Sequence, residues 1–349
     1  MTALNINLSS AFTPATSGSY SFSVTRDQII RQAMLDIGAL QPEEYPTPDE
    51  IRDCALKLNM MVKQWMGNTD FAPGLKVWTR KRADLFLDNT RYLYNLGASG
   101  DNWVDSTTGL AYPKTFGQTT LSGNAAQGAT VLNVASTSQL NVQDYIGIQV
   151  GSNIYWTRVA NIGVGTVTIS APGLSGAALA NANVWNYTTK GIRPLVMLAV
   201  TLRDIYANDT PLRLFRTVEE YEALPTKTAP TNIADPTAVL YESQFKSQAP
   251  NGQLYLDVGG AQDVTKYLHC VYLSPVQDLV NPGDAPDYPQ EWFRPLVLGH
   301  AKDIAPMFDC AWTSDLQENL VESLAIAKQG NPENSSVYFE VNSDDPYGP

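Results

Sequence analysis

Apolar residues recur at helical spacing in two adjacent stretches near the start of the chain. Between residues 25 and 38, Ile29, Ile30, Ala33, Met34 and Ile37 share one face. Thr25, with Gln28 three residues on, has the spacing of a capping box, and Gly38 is placed to end the helix. Residues 41–46 contain Pro42 and Pro46 and cannot continue it, because each proline lacks a donor and restricts the residue before it. A second helix is predicted to start at Thr47 as N-cap, with Pro48 at its first position and Glu50 completing a capping box. Its stripe is Ile51, Cys54, Ala55, Leu58, Met61, Val62 and Trp65.

Two further helices are predicted late in the chain. One opens at Pro289 and presents Trp292, Phe293, Leu296, Val297, Ala301 and Ile304 on one face; Pro295 in its second turn predicts a kink or a distorted start. The other covers about residues 314–329, with Leu316, Leu320, Leu324 and Ala327 as its stripe and Gly330 as its stop. A short capped helix is expected from Thr217 to Leu224.

Between these helices the pattern turns to alternation. Strands are predicted over residues 75–80, 84–87 and 91–96, then over 212–215, 236–241, 253–258 and 267–273. Residues 195–202 form a nearly unbroken apolar run, which reads as a buried strand. The segment 119–187 differs in composition: Asp144 and Arg158 are its charged residues, and Gly, Ala, Ser, Thr and Asn are dense. Its apolar residues fall in short β-branched runs at 130–134, 145–150, 154–159 and 166–169, separated by turn residues, which argues a small sandwich or barrel.

Composition narrows the class. With 349 residues, 44% of them hydrophobic, the chain can bury a sizeable core and is globular. No apolar run reaches the roughly 18 residues a membrane helix needs, and the N-terminus lacks the pattern of a signal peptide. Cys54, Cys270 and Cys310 are far apart and read as small apolar residues in a reducing compartment. With His269 and His300 as the only histidines, no zinc-ligand spacing occurs. The net charge of −12 argues against coating DNA through lysine and arginine.

The sequence contains no phosphate-cradling loop and no Gly-x-Ser-x-Gly elbow. Glu43-Glu44 and Asp344-Asp345 are carboxylate pairs in a loop and a tail, where solvation explains them. No catalytic residue, cofactor or metal is therefore expected.

The sequence of residues 25–65 resembles the opening hairpin of the head–tail adaptor proteins of short-tailed bacteriophages, also called tail accessory factors or tail tubular A proteins. The matching positions are Ile37-Gly38 at the end of the first helix, then Ala55, Leu58-Asn59 and Trp65. The run Tyr288-Pro289-Gln290-Glu291-Trp292-Phe293 is similar to the start of that family's late helix. The resemblance covers about residues 22–117 and 188–330. It implies a structural virion protein of the tail or neck, assembled in the host cytoplasm. Such a protein forms a homo-oligomeric, dodecameric ring under the portal protein, seals the packaged capsid, meets the tail nozzle and lines the DNA ejection channel. DNA passes through such a ring without sequence-specific binding. The acidic balance then has two readings, repulsion of DNA phosphates or ordinary surface solvation. The alternatives in function are a tail-associated cell-wall hydrolase, or a receptor- or tail-fibre-binding module built on residues 119–187.

The expected fold is thus α+β: a helical bundle of about four helices with an adjoining β part and an inserted small all-β domain. Residues 1–21 are expected as a flexible arm, 22–118 and 188–330 as the adaptor core, 119–187 as the insert and 331–349 as a docking tail. The helical core is expected to contain Ile51, Leu58, Val62, Trp65, Trp292, Leu296, Leu320 and Leu324. Glu43, Glu44 and Asp49 are candidate channel-facing acids. In the tail, Val337, Phe339 and Val341 fall on one side of an extended strand beside Tyr338, and Glu333, Glu340, Asp344 and Asp345 surround them. Such a strand needs a sheet edge or groove, on the portal, on a neighbour or on its own subunit.

Overall fold

Both N-terminal capping boxes form. In the computed structural model, which describes residues 21–66, 79–105, 114–243 and 251–329, helix α1 covers Arg26–Asp36 and helix α2 covers Pro48–Trp65. Thr25 and Thr47 each accept from the backbone N–H three residues on, and Gln28 and Glu50 return the bond. Gly38 follows α1 with φ +77°, a left-handed conformation that any Cβ would disfavour. The described residues fall into two compact units, one within residues 1–74 and 277–349, the other within 75–276.

The first unit is helical. Besides α1 and α2 it holds α4 (Phe293–Ile304) and α5 (Ser314–Gln329); the short α3 (Val218–Glu222) belongs to the other unit. A 3-10 turn at Gln290–Trp292 precedes α4. This places Pro295 in the first α-helical turn, where an N–H has no intrahelical partner to lose. Helix α4 is buried on nearly every side, and α1, α2 and α5 each pack against it. Arg294 on α4 pairs with Asp36 at the end of α1 at 2.9 Å. The residues 1–21 expected as an arm lie outside the described residues except for the last, and the tail 331–349 lies wholly outside them.

The second unit is built from sheets. Its five-stranded antiparallel sheet has the order β11 (Asp209–Pro211), β10 (Val196–Arg203), β17 (Tyr267–Leu273), β1 (Arg80–Phe86), β3 (Trp103–Asp105). A four-stranded sheet, β12 (Arg213–Phe215), β14 (Ala238–Glu242), β15 (Gly252–Leu256), β2 (Leu93–Leu96), packs on one of its faces. Leu85, Leu202, Leu268, Cys270 and Tyr272 meet Tyr94, Leu96, Val239, Leu254 and Leu256 between the layers. A two-stranded ladder joins β13 (Ile233–Ala234) to β16 (Gly260–Ala261). Residues 117–187 carry a six-stranded antiparallel sheet in the order β4 (Gly117–Thr120), β9 (Asn183–Tyr187), β6 (Tyr145–Val150), β7 (Asn153–Gly163), β8 (Thr166–Ile169), β5 (Val131–Asn133). It closes over an aliphatic core of its own that includes Ile146, Ile148, Val159 and Val184. It also shares an aromatic cluster with the five-stranded sheet, in which Phe86 and Tyr267 meet Phe116, Trp156, Trp185 and Tyr187.

This architecture overturns the expected fold class. Among the described residues the protein is mostly β, with strands in four sheets and five helices, and is not a bundle of about four helices with a β-domain inserted into it. The physical reason is the unequal visibility of the elements. Capped helices with long apolar stripes dominate a periodicity reading, whereas β4, β11, β13 and β16 are two to four residues long and rich in Gly, Thr, Asp and Pro. The 195–202 run also differs from expectation. It forms β10, but Val196, Leu198 and Ala199 are exposed, because an antiparallel sheet needs only one covered face.

Candidate functional site

A buried polar cluster lies in the sheet unit. Asp84 on β1 and His269 on β17 are register partners, and Asp84 Oδ1 lies 2.7 Å from His269 Nδ1. The Thr115 hydroxyl reaches Asp84 Oδ2 at 2.7 Å and the Val104 carbonyl at 3.0 Å. A nucleophile needs its hydroxyl proton on the base, with the acid behind. Here the hydroxyl and the imidazole both approach the carboxylate, so the cluster ties β1, β17 and the entry to β4 together, and the Thr115 hydroxyl is set on the carboxylate rather than on the imidazole.

His300, Cys54 and Cys270 are each held in the neutral form by burial. His300 on α4 is fully buried, and burial, with the charge of Lys57 second, pushes its pKa down to about 4. The Cys54 thiol is pushed up to about 11, chiefly by burial, and Cys270 also rises well above its ordinary value. Thiols held protonated are poor nucleophiles and poor metal ligands. Among the described residues no group of three or more His, Cys, Asp or Glu is placed to hold a metal, and no helix is long and apolar enough to cross a membrane.

The residues singled out in the sequence take the following places. Leu58, Val62, Trp292, Leu296 and Leu320 are buried; Ile51, Trp65 and Leu324 are half-buried. Trp65 meets Trp292 edge-to-face at 6.4 Å. Glu43, Glu44 and Asp49 are exposed: Glu44 accepts from the Gln41 N–H at 2.9 Å, and Asp49 pairs with Arg52 at 3.0 Å. Val337, Tyr338, Phe339 and Val341 lie outside the described residues.

What the helical unit does present is apolar surface at positions off the buried stripes. Leu56 and Met60 on α2 are 61% and 63% exposed, one turn apart on one face. Val321 and Ile326 on α5 are 56% and 57% exposed. The helical stripes of the sequence leave all four positions over, and that remainder was the signal available for finding them. Compared with known proteins, the chain matches no protein-family model and no curated protein.

Proposed function

We propose that this chain is a structural protein of a virion, a head-to-tail adaptor that forms a homo-oligomeric ring beneath a portal and joins the filled capsid to the tail. One observation supports the reading. The two separated stretches that resemble the adaptor family pack together in one unit: Trp65 of α2 meets Trp292 at the start of α4, and Asn59 binds the chain at Leu279. In this reading the ring seals the packaged capsid and surrounds the path of DNA, which passes without sequence-specific binding. A charge of −12 on each copy would repel its phosphates. Residues 331–349 would dock on the portal or a neighbouring subunit, and the six-stranded sheet would reach a tail fibre or the tail nozzle. No catalysis or cofactor enters.

Sedimentation of the purified protein with and without the portal protein of the same virus tests this. The expected outcome is a large complex when portal is added, seen as a ring in electron micrographs. Protein that remains free in the presence of portal overturns the reading. So does clearing of peptidoglycan that a single carboxylate substitution abolishes, the behaviour of a tail-associated hydrolase.

A further inference from the structure

A groove of about 430 Å³ lies in the helical unit, where the chain enters α1 and α4 begins. Phe22 and Val24, Ile29 of α1, and Phe293 and Val297 of α4 give it an apolar lining. Phe22 is 65% exposed although its ring stands 6.0 Å from that of Phe293. Two exposed amides one turn apart on α1, Gln28 and Gln32, complete the lining. Gln28 Oε1 accepts from the Thr25 N–H and Gln32 Nε2 donates to Asp36, which leaves Gln28 Nε2 and Gln32 Oε1 without partners among the described residues. The charged residue of the lining, Arg294, is already matched by Asp36 at 2.9 Å. The groove therefore suits an occupant that is apolar, able to bond amides, and uncharged.

We propose that residues 1–20 of the same copy seat in this groove, with Leu4, Ile6 and Leu8 on its apolar lining. These residues alternate with Asn5 and Asn7. In an extended segment the three apolar side chains share one side, and the two amides take the other, toward solvent and the glutamines. No Asp, Glu, Lys or Arg precedes Arg26 in the sequence, so seating this segment buries no side-chain charge. The competing segment, 331–349, does not fit on that ground. Glu340 stands between Phe339 and Val341, Glu333, Asp344 and Asp345 flank them, and the lining holds no unmatched cation to receive these carboxylates. Connection favours the same segment. Residue 21 adjoins Phe22 at the groove, and the chain from Leu8 to Phe22 can span about 45–50 Å, with Pro14 and Gly18 available for its reversal. A segment tethered in this way meets the groove at a concentration on the order of millimolar, which a second copy in dilute solution does not match.

Disulfide trapping in the full-length chain tests this. In a Cys310→Ser background, Asn7→Cys is combined either with Gln32→Cys at the groove or with Asp49→Cys on the exposed start of α2, and dilute protein is oxidised. Seating is expected to give an intrachain cross-link to position 32 at least about tenfold faster than to position 49. Equal rates at the two positions, or a cross-linked dimer as the main product, overturn the proposal. A second substitution separates seating from chance encounter without touching the groove. Ile6→Asp, which would bring an unpaired charge onto the apolar lining, is expected to slow the cross-link to position 32 to the rate at position 49. Phe339→Asp in the 331–349 segment is expected to leave it unchanged. A rate that Ile6→Asp does not alter overturns the proposal, as does cross-linking of Phe339→Cys to Gln32→Cys at the rate expected of Asn7→Cys.

Discussion

Asn59 and Leu279 hold each other through a reciprocal pair of hydrogen bonds. The Leu279 N–H donates to Asn59 Oδ1 at 2.9 Å, and Asn59 Nδ2 donates back to the Leu279 carbonyl at 3.1 Å and to the Ala55 carbonyl at 3.1 Å. One amide side chain thus supplies a strand-like pairing to a backbone segment that has no sheet beside it. It fixes where the chain re-enters the helical unit ahead of α4.

Replacing Asn59 by Ala removes all three bonds and leaves the backbone groups of Leu279 without these partners. The expected cost is about 2–4 kcal/mol, from roughly 1 kcal/mol for each lost bond and more for a buried group left unsatisfied. Urea denaturation followed by tryptophan fluorescence measures it. A loss below about 0.5 kcal/mol, the range of ordinary surface substitutions, would show that the segment is held by its apolar contacts instead.

At Gly299, α4 lies directly against Trp65 and Met61 of α2. A Cβ there would stand 2.5 Å from Trp65 Cζ2 and 3.1 Å from Met61 Sδ. Gly299→Ala gains about 1 kcal/mol of helix propensity but forces the indole aside, an overpacking cost of about 1–3 kcal/mol. Net destabilisation is expected, and Trp65→Phe, whose smaller ring lacks the indole's fused bicycle and its Cζ2 and Cη2 carbons, is expected to relieve it. A double-mutant cycle on melting temperature reads the coupling. Additive effects of the two substitutions would mean that Trp65 moves freely and that the close approach carries no energy.

The aromatic cluster makes the six-stranded sheet and the five-stranded sheet depend on one another. Phe86 lies 4.8 Å from the Phe116 ring, 4.9 Å from Trp156 and 5.8 Å from Trp185. Phe86→Ala is expected to cost about 3–5 kcal/mol, as for other buried large-to-small changes. Replacing residues 119–187 by a short linker removes Trp156, Trp185 and Tyr187 from the cluster and uncovers Phe86 and Tyr267. The shortened protein is therefore expected to melt lower and to bind an apolar-surface dye. Unchanged melting and no dye binding would show that the five-stranded sheet closes without this cover.

The helices were legible because their signals are local. Thr47, Pro48 and Glu50 mark the start of α2 within four residues, and α5 occupies the residues its stripe indicates. Strand β17 was equally clear, since in Tyr267–Leu273 the residues that enter the core between the sheets, Leu268, Cys270 and Tyr272, stand at alternate positions. The balance of the fold was not legible. Asp209–Pro211 and Gly260–Ala261 become strands only because a partner strand passes beside them, and segments of two or three residues are too short to show a period of their own. The exposed faces were half legible. Leu56 and Met60 stand out as apolar residues off the α2 stripe, but their exposure follows from α2 using one face against α1 and α4, which sequence spacing alone cannot establish.

His300 makes the helical unit sensitive to acid. It is fully buried in α4, neither ring nitrogen has a hydrogen-bond partner, and its pKa is pushed down to about 4, first by burial and then by Lys57. In the unfolded chain the imidazole titrates near 6.5. Between these values the unfolded state binds a proton that the native state refuses, so stability rises with pH across the window. The contribution is fully present above about pH 6.5 and is lost progressively as pH falls, reaching about 3 kcal/mol near pH 4, where the native ring also protonates. Other groups, including carboxylates, titrate in the lower part of this range, so the comparison is made against His300→Leu, which keeps an apolar side chain of similar reach and has no proton to bind. The variant is expected to lose less stability than wild type between pH 7.5 and 4.5, in urea titrations at each pH. Two curves that stay parallel over that interval would show that native His300 accepts a proton as readily as the unfolded chain does, and that α4 is not closed around it.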